Sequence, residues 1–254
     1  VNKTINTSKI FVTDNEATYN DDYNAKPIKV GLGYYQILEK GISDIYRAKH
    51  NFKNSHKISA EKKITVCFKL ALAVQCLHNN GYIHRDLKEE NIIYMNTNNE
   101  DEKFYDPNCQ IKLIDFGFLK KNGCDTIDCQ VVDGTPGFIN PRNYLREKRG
   151  NDQLDIIKLQ LNSKLDIYAL GKIFISILDL TNNYVFDITH EVGKSYAKDK
   201  EDSKEIQYHD RTVNALASSE SIINDFSLII KNMLTDKYDS IDHVVEAIKG
   251  KILK

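Results

Sequence analysis

Between Ser59 and Asn80 the apolar residues Ile64, Cys67, Phe68, Ala71, Leu72, Val74 and Leu77 recur at the spacing of one helix face, and Asn79-Asn80-Gly81 ends the run. That spacing predicts a long helix. After Asn91 the period changes: Ile92-Ile93-Tyr94-Met95 reads as a strand, 96–108 as a polar, solvated loop, and 110–114 as the strand's hairpin partner. A dense apolar stretch begins at Ile167, holds Lys172 and stops at Asp179, which predicts a buried helix too short to span a bilayer. The charged stretch between Asn143 and Lys164, with Ile156, Ile157, Leu159 and Leu161, predicts a short extra helix, and 194–211 a charge-dense surface loop. At the tail, Ile222, Ile223, Phe226, Ile229, Ile230 and Leu234, then Ile241, Val244, Val245 and Ile248, repeat at helical periods and predict two packing helices. No internal repeat or Pro-rich linker divides the chain.

The predicted long helix leads into His84-Arg85-Asp86-Leu87-Lys88-Glu89-Glu90-Asn91-Ile92. A loop of this kind can aim the Asp86 carboxylate, the Lys88 ammonium and the Asn91 amide into one small cleft. Phosphoryl transfer needs those three groups: a carboxylate to orient a hydroxyl and take its proton, a cation to neutralise the moving phosphoryl, and an amide oxygen for Mg²⁺. Downstream, the apolar strand Ile111-Lys112-Leu113-Ile114 delivers Asp115-Phe116-Gly117, and Asp115 is the expected main metal ligand.

These motifs resemble the eukaryotic-type protein kinase family, whose catalytic loop reads His-Arg-Asp-Leu-Lys-x-x-Asn and whose metal loop reads Asp-Phe-Gly. Two more follow in the family's order. Gly134-Thr135-Pro136-Gly137-Phe138-Ile139-Asn140-Pro141-Arg142 resembles the end of an activation segment, and Asp166-Ile167-Tyr168-Ala169-Leu170-Gly171 the start of the buried central helix. Either tripeptide alone carries little information; four motifs in order carry much more. The resemblance implies an α+β fold with two lobes: a mostly helical large lobe over 42–254, and an incomplete small β lobe with the hinge over 1–41. It implies ATP and Mg²⁺ as cofactors, with Asp86, Lys88 and Thr135 catalytic and Asn91 and Asp115 on the metal.

By the same resemblance Tyr34-Tyr35-Gln36-Ile37-Leu38-Glu39-Lys40-Gly41 is the last small-lobe strand and hinge. Leu38 is then the gatekeeper, the Glu39 carbonyl and Gly41 amide meet the adenine edge, Ile93 forms its floor, and Asp44 reaches the ribose. Ser43 and Asp44 are also expected to cap a helix. Gly31-Leu32-Gly33 lacks the further glycine of a phosphate-covering loop and reads as a turn. For the strand lysine that pairs with the phosphates, two registers stay open: one selects Lys9, with Glu16, Asp21 or Asp22 as partner, and counting from Asn2-Lys3-Thr4 puts Val12 there instead. The chain opens on Val1, as a fragment, a trimmed chain or a non-ATG start would, and in a fragment the missing glycine loop lies upstream.

Arg142 stands where the family has a glutamate, and acids at Asp236 and Asp239 stand where it has the partner arginine. A charge-swapped pair is the expectation. Thr135 and Lys88 match serine/threonine rather than tyrosine kinases, so a Ser or Thr hydroxyl of a protein is the expected acceptor. Arg85 is a candidate for gripping an activation-segment phosphate, for which Thr126 is the candidate site. The alternative is a pseudokinase-like scaffold that transfers phosphate weakly or never; a regulatory protein partner fits either reading.

Composition narrows the rest. With 254 residues, 41% hydrophobic and 28% charged, the chain can bury a sizeable core. A net charge of −1 offers no basic excess for nucleic acid or an anionic membrane, so neither partner is expected. The five cysteines have no Cys-x-x-Cys spacing, which argues against a disulfide framework or a zinc site and fits a reducing cytoplasm.

Overall fold

A computed structural model describes residues 28–30, 33–35, 41–50, 58–95, 103–106, 108–123, 127–129, 134–135, 137–140, 144–147, 156–159, 161–180, 210–214 and 224–252. The chain divides into two compact units, 1–42 and 43–254. In the first, β1 (Ile28–Val30) pairs antiparallel with β2 (Gly33–Tyr35), Val30 opposite Gly33; Gly31 and Leu32, expected with Gly33 to form a turn, lie outside the described residues. Lys9, Val12, Leu38 and Glu39 lie outside the described residues, and Gly41 is half-buried.

The second unit is α+β and mostly helical. Its β3 (Ser43–Asp44) lines up with β5 (Ile92–Met95), which pairs in turn with β6 (Gln110–Leu113) in the register Ile92↔Leu113 to Met95↔Gln110. A second small sheet joins β4 (Tyr82–Ile83) to β7 (Lys120–Lys121). Between β3 and β4 lie α1 (Ile45–His50) and α2 (Ala60–Asn79). Ser59 starts α2 as its N-cap, its hydroxyl accepting from the Lys62 amide at 3.4 Å and so satisfying one of the free first-turn donors. The buried stripe of α2 is Lys63, Val66, Cys67, Leu70, Ala71, Val74 and His78; Leu72, expected inside, points out. The helix is as predicted, but its inward face is turned toward Val66 and Leu70, because the steps 63, 66/67, 70/71, 74 and 78 keep one side of the cylinder against the core.

The central helix α3 (Lys164–Ile177) is buried along almost its whole length, and packs on α2 and on α4 (Asn224–Leu234), while α5 (Ile241–Ile252) closes over α2 and α4. Gly171 allows the close approach of α3 to α4: a Cβ there would lie 3.1 Å from Leu234 Cδ2 and 3.2 Å from Met233 Cβ. Each large aliphatic side chain sealed in this core contributes roughly 1.5–3 kcal/mol relative to exposure.

Two expectations need correction. The 96–108 stretch is not simply a solvated loop: Phe104 and Tyr105 are fully buried in the main core, their rings 4.1 Å apart, and Tyr94 packs on Phe104 at 6.1 Å. Two adjacent aromatic rings withdraw enough apolar area to fold a polar tract inward. The second is the extra helix expected between Asn143 and Lys164. That stretch instead holds β9 (Tyr144–Glu147) and β10 (Ile156–Leu159), antiparallel to each other, with β8 (Ile127–Cys129) on the other side of β10. Ile156-Ile157 is a β-branched pair, and β-branched side chains suit a pleated strand better than a helix turn.

The two acids expected to face Arg142 both have partners among the described residues. Asp239 pairs with Lys164 at 3.0 Å, which holds its carboxyl below the usual range, and Asp236 Oδ2 accepts from Asn140 Nδ2 at 3.1 Å. Arg142 itself lies outside the described residues.

Lys172 is 3% exposed on α3, and burial lowers its pKa from the ordinary lysine value to about 8. Below about 8 the ammonium is charged in both folded and unfolded chains and its full burial cost is present; as pH rises from there toward the ordinary lysine range, the folded chain sheds the proton first and gains stability. Lys172→Met is therefore expected to raise the melting temperature at pH 7, with the advantage over the parent shrinking by pH 10. Thermal melts at the two pH values check this; a variant less stable at pH 7 contradicts it.

Candidate active site

The segment between β4 and β5 begins with a strained residue. Arg85 has φ 72°, in the left-handed region that a branched or long side chain enters at a cost of about 1–3 kcal/mol. The turn aims two consecutive amides at one carboxylate: His84 N donates to Asp166 Oδ2 at 2.7 Å and Arg85 N to Asp166 Oδ1 at 2.9 Å. Asp166, on the first turn of α3 and fully buried, also accepts from His78 Nε2 at 2.9 Å. These charge-assisted bonds offset the strain and tether the segment to the central helix.

His84 adds a second tether. Asp86 N donates to His84 Nδ1 at 3.3 Å, so the ring proton resides on Nε2, which donates to Ile114 O at 3.0 Å. Ile114 N in turn donates to Asn91 O at 3.0 Å. The residues before Asp115 are thus fastened at both sides to the segment that carries Asp86 and Asn91.

Within that frame four predicted residues meet. The Asp86 carboxylate, 4% exposed, accepts from Thr135 Oγ1 at 2.6 Å through Oδ1, and from Lys88 Nζ at 2.8 Å and Asn91 Nδ2 at 3.0 Å through Oδ2. Lys88 Nζ also donates to Thr135 Oγ1 at 2.9 Å, and Asn91 Nδ2 to the Asp86 carbonyl at 2.8 Å. A carboxylate, an ammonium, a hydroxyl and an amide therefore share one hydrogen-bonded cluster, which suits binding a hydroxyl and neutralising a phosphoryl group. Gly134, at φ +123°, lets the segment carrying Thr135 approach: a Cβ there would lie 2.9 Å from the Arg85 carbonyl oxygen.

Asp115 sits at φ 62°, exposed, with Oδ1 only loosely held by Gly117 N at 3.4 Å. Phe116 packs its ring 5.2 Å from that of His84. The Asn91 bonds to Asp86 use its amide nitrogen, which leaves its amide oxygen for a cation. An amide oxygen and an accessible carboxylate on two tethered segments are a hard-oxygen donor set that fits Mg²⁺, which keeps several waters and takes phosphate oxygens for the rest.

The remaining predicted residues divide. Asp44 Oδ1 accepts from Arg47 N at 2.7 Å and so caps α1, as expected, with Arg47 Nε 3.4 Å from its other oxygen. Ile93, half-buried on β5, is Asp44's register partner. Lys9, Leu38 and Glu39 are not described, nor is Thr126; Arg85 donates through a guanidinium nitrogen to Phe118 O at 3.4 Å. Nothing in the sequence signals what Asp166 binds, since two of its three partners are backbone amides that leave no residue-type trace and the third, His78, lies in a different element. It also passed over Glu89, which is 1% exposed and whose carboxyl burial raises above the ordinary glutamate value, against the Lys49 charge and a Ser176 hydroxyl bond.

A family model described as "Protein kinase domain" matches residues 36–240. A serine/threonine-protein kinase-like protein of Arabidopsis thaliana is 32% identical over 117 residues, 46% of this chain and 28% of that protein. The Citron Rho-interacting kinase of Mus musculus is 35% identical over 89 residues, 34% of this chain and 4% of that protein, and the GLH-binding kinase 1 of Caenorhabditis elegans 26% over 147 residues, 58% and 31%. The matched segment spans less than a third of each of these relatives' own length.

Proposed function

The chain belongs to the protein kinase family, and from that premise we propose that it transfers the γ-phosphoryl group of ATP to Ser or Thr hydroxyls of proteins. The observation that carries this reading is the cluster in which Lys88 and Thr135 both bond the Asp86 carboxylate. Residues 1–41 then act as a reduced small lobe and hinge, and 42–254 as the large lobe.

In the proposed reaction the substrate hydroxyl takes the place at Asp86 Oδ1 that the Thr135 hydroxyl fills here. Asp86 holds that hydroxyl in line and receives its proton as the new O–P bond forms and the bond to ADP breaks. Lys88, already between Asp86 and Thr135, offsets the negative charge on the phosphoryl oxygens. Asn91 and Asp115 would hold Mg²⁺, which when bound neutralises the nucleotide's phosphates. Thr135, displaced from Asp86 Oδ1, still accepts from Lys88 and so orients that ammonium while lining the acceptor side. By the family resemblance, the proposed role of Leu38 is gatekeeper, of Glu39 and Gly41 contact with the adenine edge, of Ile93 the adenine floor, of Asp44 contact with the ribose, and of Lys9 pairing with the phosphates.

No helix among the described residues is long and apolar enough to cross a membrane. We propose a cytoplasmic protein acting on protein substrates, with neither nucleic acid nor membrane as partner.

The acceptor class is tested by incubating the chain with γ-labelled ATP, Mg²⁺ and mixed Ser-, Thr- and Tyr-containing peptides, then hydrolysing the product. Phosphoserine and phosphothreonine are expected. Phosphotyrosine alone would refute the assignment, and no label on a folded chain would favour the scaffold reading.

A further inference from the structure

Behind the cluster lies a second polar group that the proposed reaction does not use. Glu89 opens the 3₁₀ turn Glu89–Asn91, which Asn91 N closes onto Lys88 O at 3.1 Å. Lys88, next to it, bonds Asp86 and Thr135, whereas the Glu89 side chain is buried, beside Lys49 and Ser176. Lys49, on the last turn of α1, donates to Ser176 O at 2.5 Å and Ser176 Oγ at 2.6 Å, and lies 3.5 Å from Asp179 Oδ1. Asp179, at φ 51° just past the end of α3, also pairs with Lys63 of α2 at 2.8 Å. Two lysines and two acids thus balance in charge where α1, α2, α3 and the 3₁₀ turn converge.

Ordinary packing would favour an apolar residue at so enclosed a position, because a buried carboxyl without full hydrogen bonding is costly. Among the described residues Glu89 Oε1 has no hydrogen-bond partner. A retained polar group of that cost is explicable when it fixes geometry. We propose that Glu89 is a positioning residue: with Lys49 and Ser176 it anchors the 3₁₀ turn from behind and so sets where Lys88 and Asn91 stand against Asp86. The effect on catalysis rests on the kinase reading above; the effect on the loop does not.

The test uses the full chain with Glu89→Ala, Glu89→Gln and Ser176→Ala, each first shown to be folded by circular dichroism and melting. Amide hydrogen exchange over residues 86–92 is expected to quicken by about tenfold in Glu89→Ala, with little change in α5, as a local opening would give. Glu89→Gln, which keeps the shape and a bond to the Ser176 hydroxyl, is expected to restore most of the protection, and Ser176→Ala to fall between. Under saturating ATP, kcat of Glu89→Ala is expected to drop by about 10–100-fold with KM for ATP nearly unchanged, since small misplacement of reacting groups costs rate rather than affinity. Unchanged loop exchange in Glu89→Ala overturns the proposal; if that variant does not fold, unchanged exchange in Ser176→Ala overturns it equally. Loop exchange that responds as expected in a chain that transfers no phosphate would uphold the anchor and refute the kinase reading.

Discussion

Asp86→Asn is expected to lower kcat by about 10²–10⁴-fold while leaving the fold intact. The substitution is nearly isosteric. An amide oxygen in place of Oδ2 can still accept from Lys88 and Asn91, and the amide nitrogen can donate to the Thr135 hydroxyl, which reverses its role as donor. What disappears is a basic oxygen able to take the acceptor's proton. Melting temperature and KM for ATP should therefore stay close to the parent's, and the loss should fall on kcat. A variant that retains most of the parent's kcat would remove Asp86 from the chemistry, whatever its hydrogen bonds.

Asp166→Ala is expected to be the most destabilising single change in the site, by about 3–5 kcal/mol, the range seen when one partner of a buried charged network is removed. Three donors lose their acceptor together: the amides of His84 and Arg85 and the ring of His78. The left-handed turn at Arg85 then loses the amide–carboxylate bonds that offset its strain. Asp166→Asn should be milder in stability, because one oxygen still accepts, yet its amide nitrogen must face a donor. Urea titration ranks the variants; an Asp166→Ala midpoint within error of the parent's would show that the segment is held elsewhere. Activity should fall with stability in this case, in contrast to Asp86→Asn.

The parts of this protein that were legible in its sequence are those whose information is local. Capping at Ser59 and the period of α2, the alternation of β5 with β6, and the dense apolar run of α3 each lie within one element, so a window of neighbours reveals them. The Asp86, Lys88 and Asn91 cluster was legible for the same reason: three of its four side chains come from one short turn. Thr135 was legible only through its neighbours Gly134 and Pro136. The function of Asp166 was not, because two of its three donors are backbone amides, which select no particular residue, and the third, His78, is far away in sequence. Glu89 carried no signal of its own beside Glu90, and only the packing of the surrounding elements against the turn buries it. Phe104 and Tyr105 were hidden in a tract of Asn, Asp and Glu, where average polarity outweighed two rings. For β9 and β10, the charges around Ile156 and Ile157 suggested one face of a helix; pairing with β8, distant in sequence, decided otherwise.

The central claim is that the cluster around Asp86 performs phosphoryl transfer, and the most direct measurement is label incorporation from γ-labelled ATP with Mg²⁺ by this chain beside its Asp86→Asn variant. The account predicts incorporation into protein Ser or Thr by the parent and near-complete loss in the variant. Equal incorporation by both, or none by a folded parent, would contradict it.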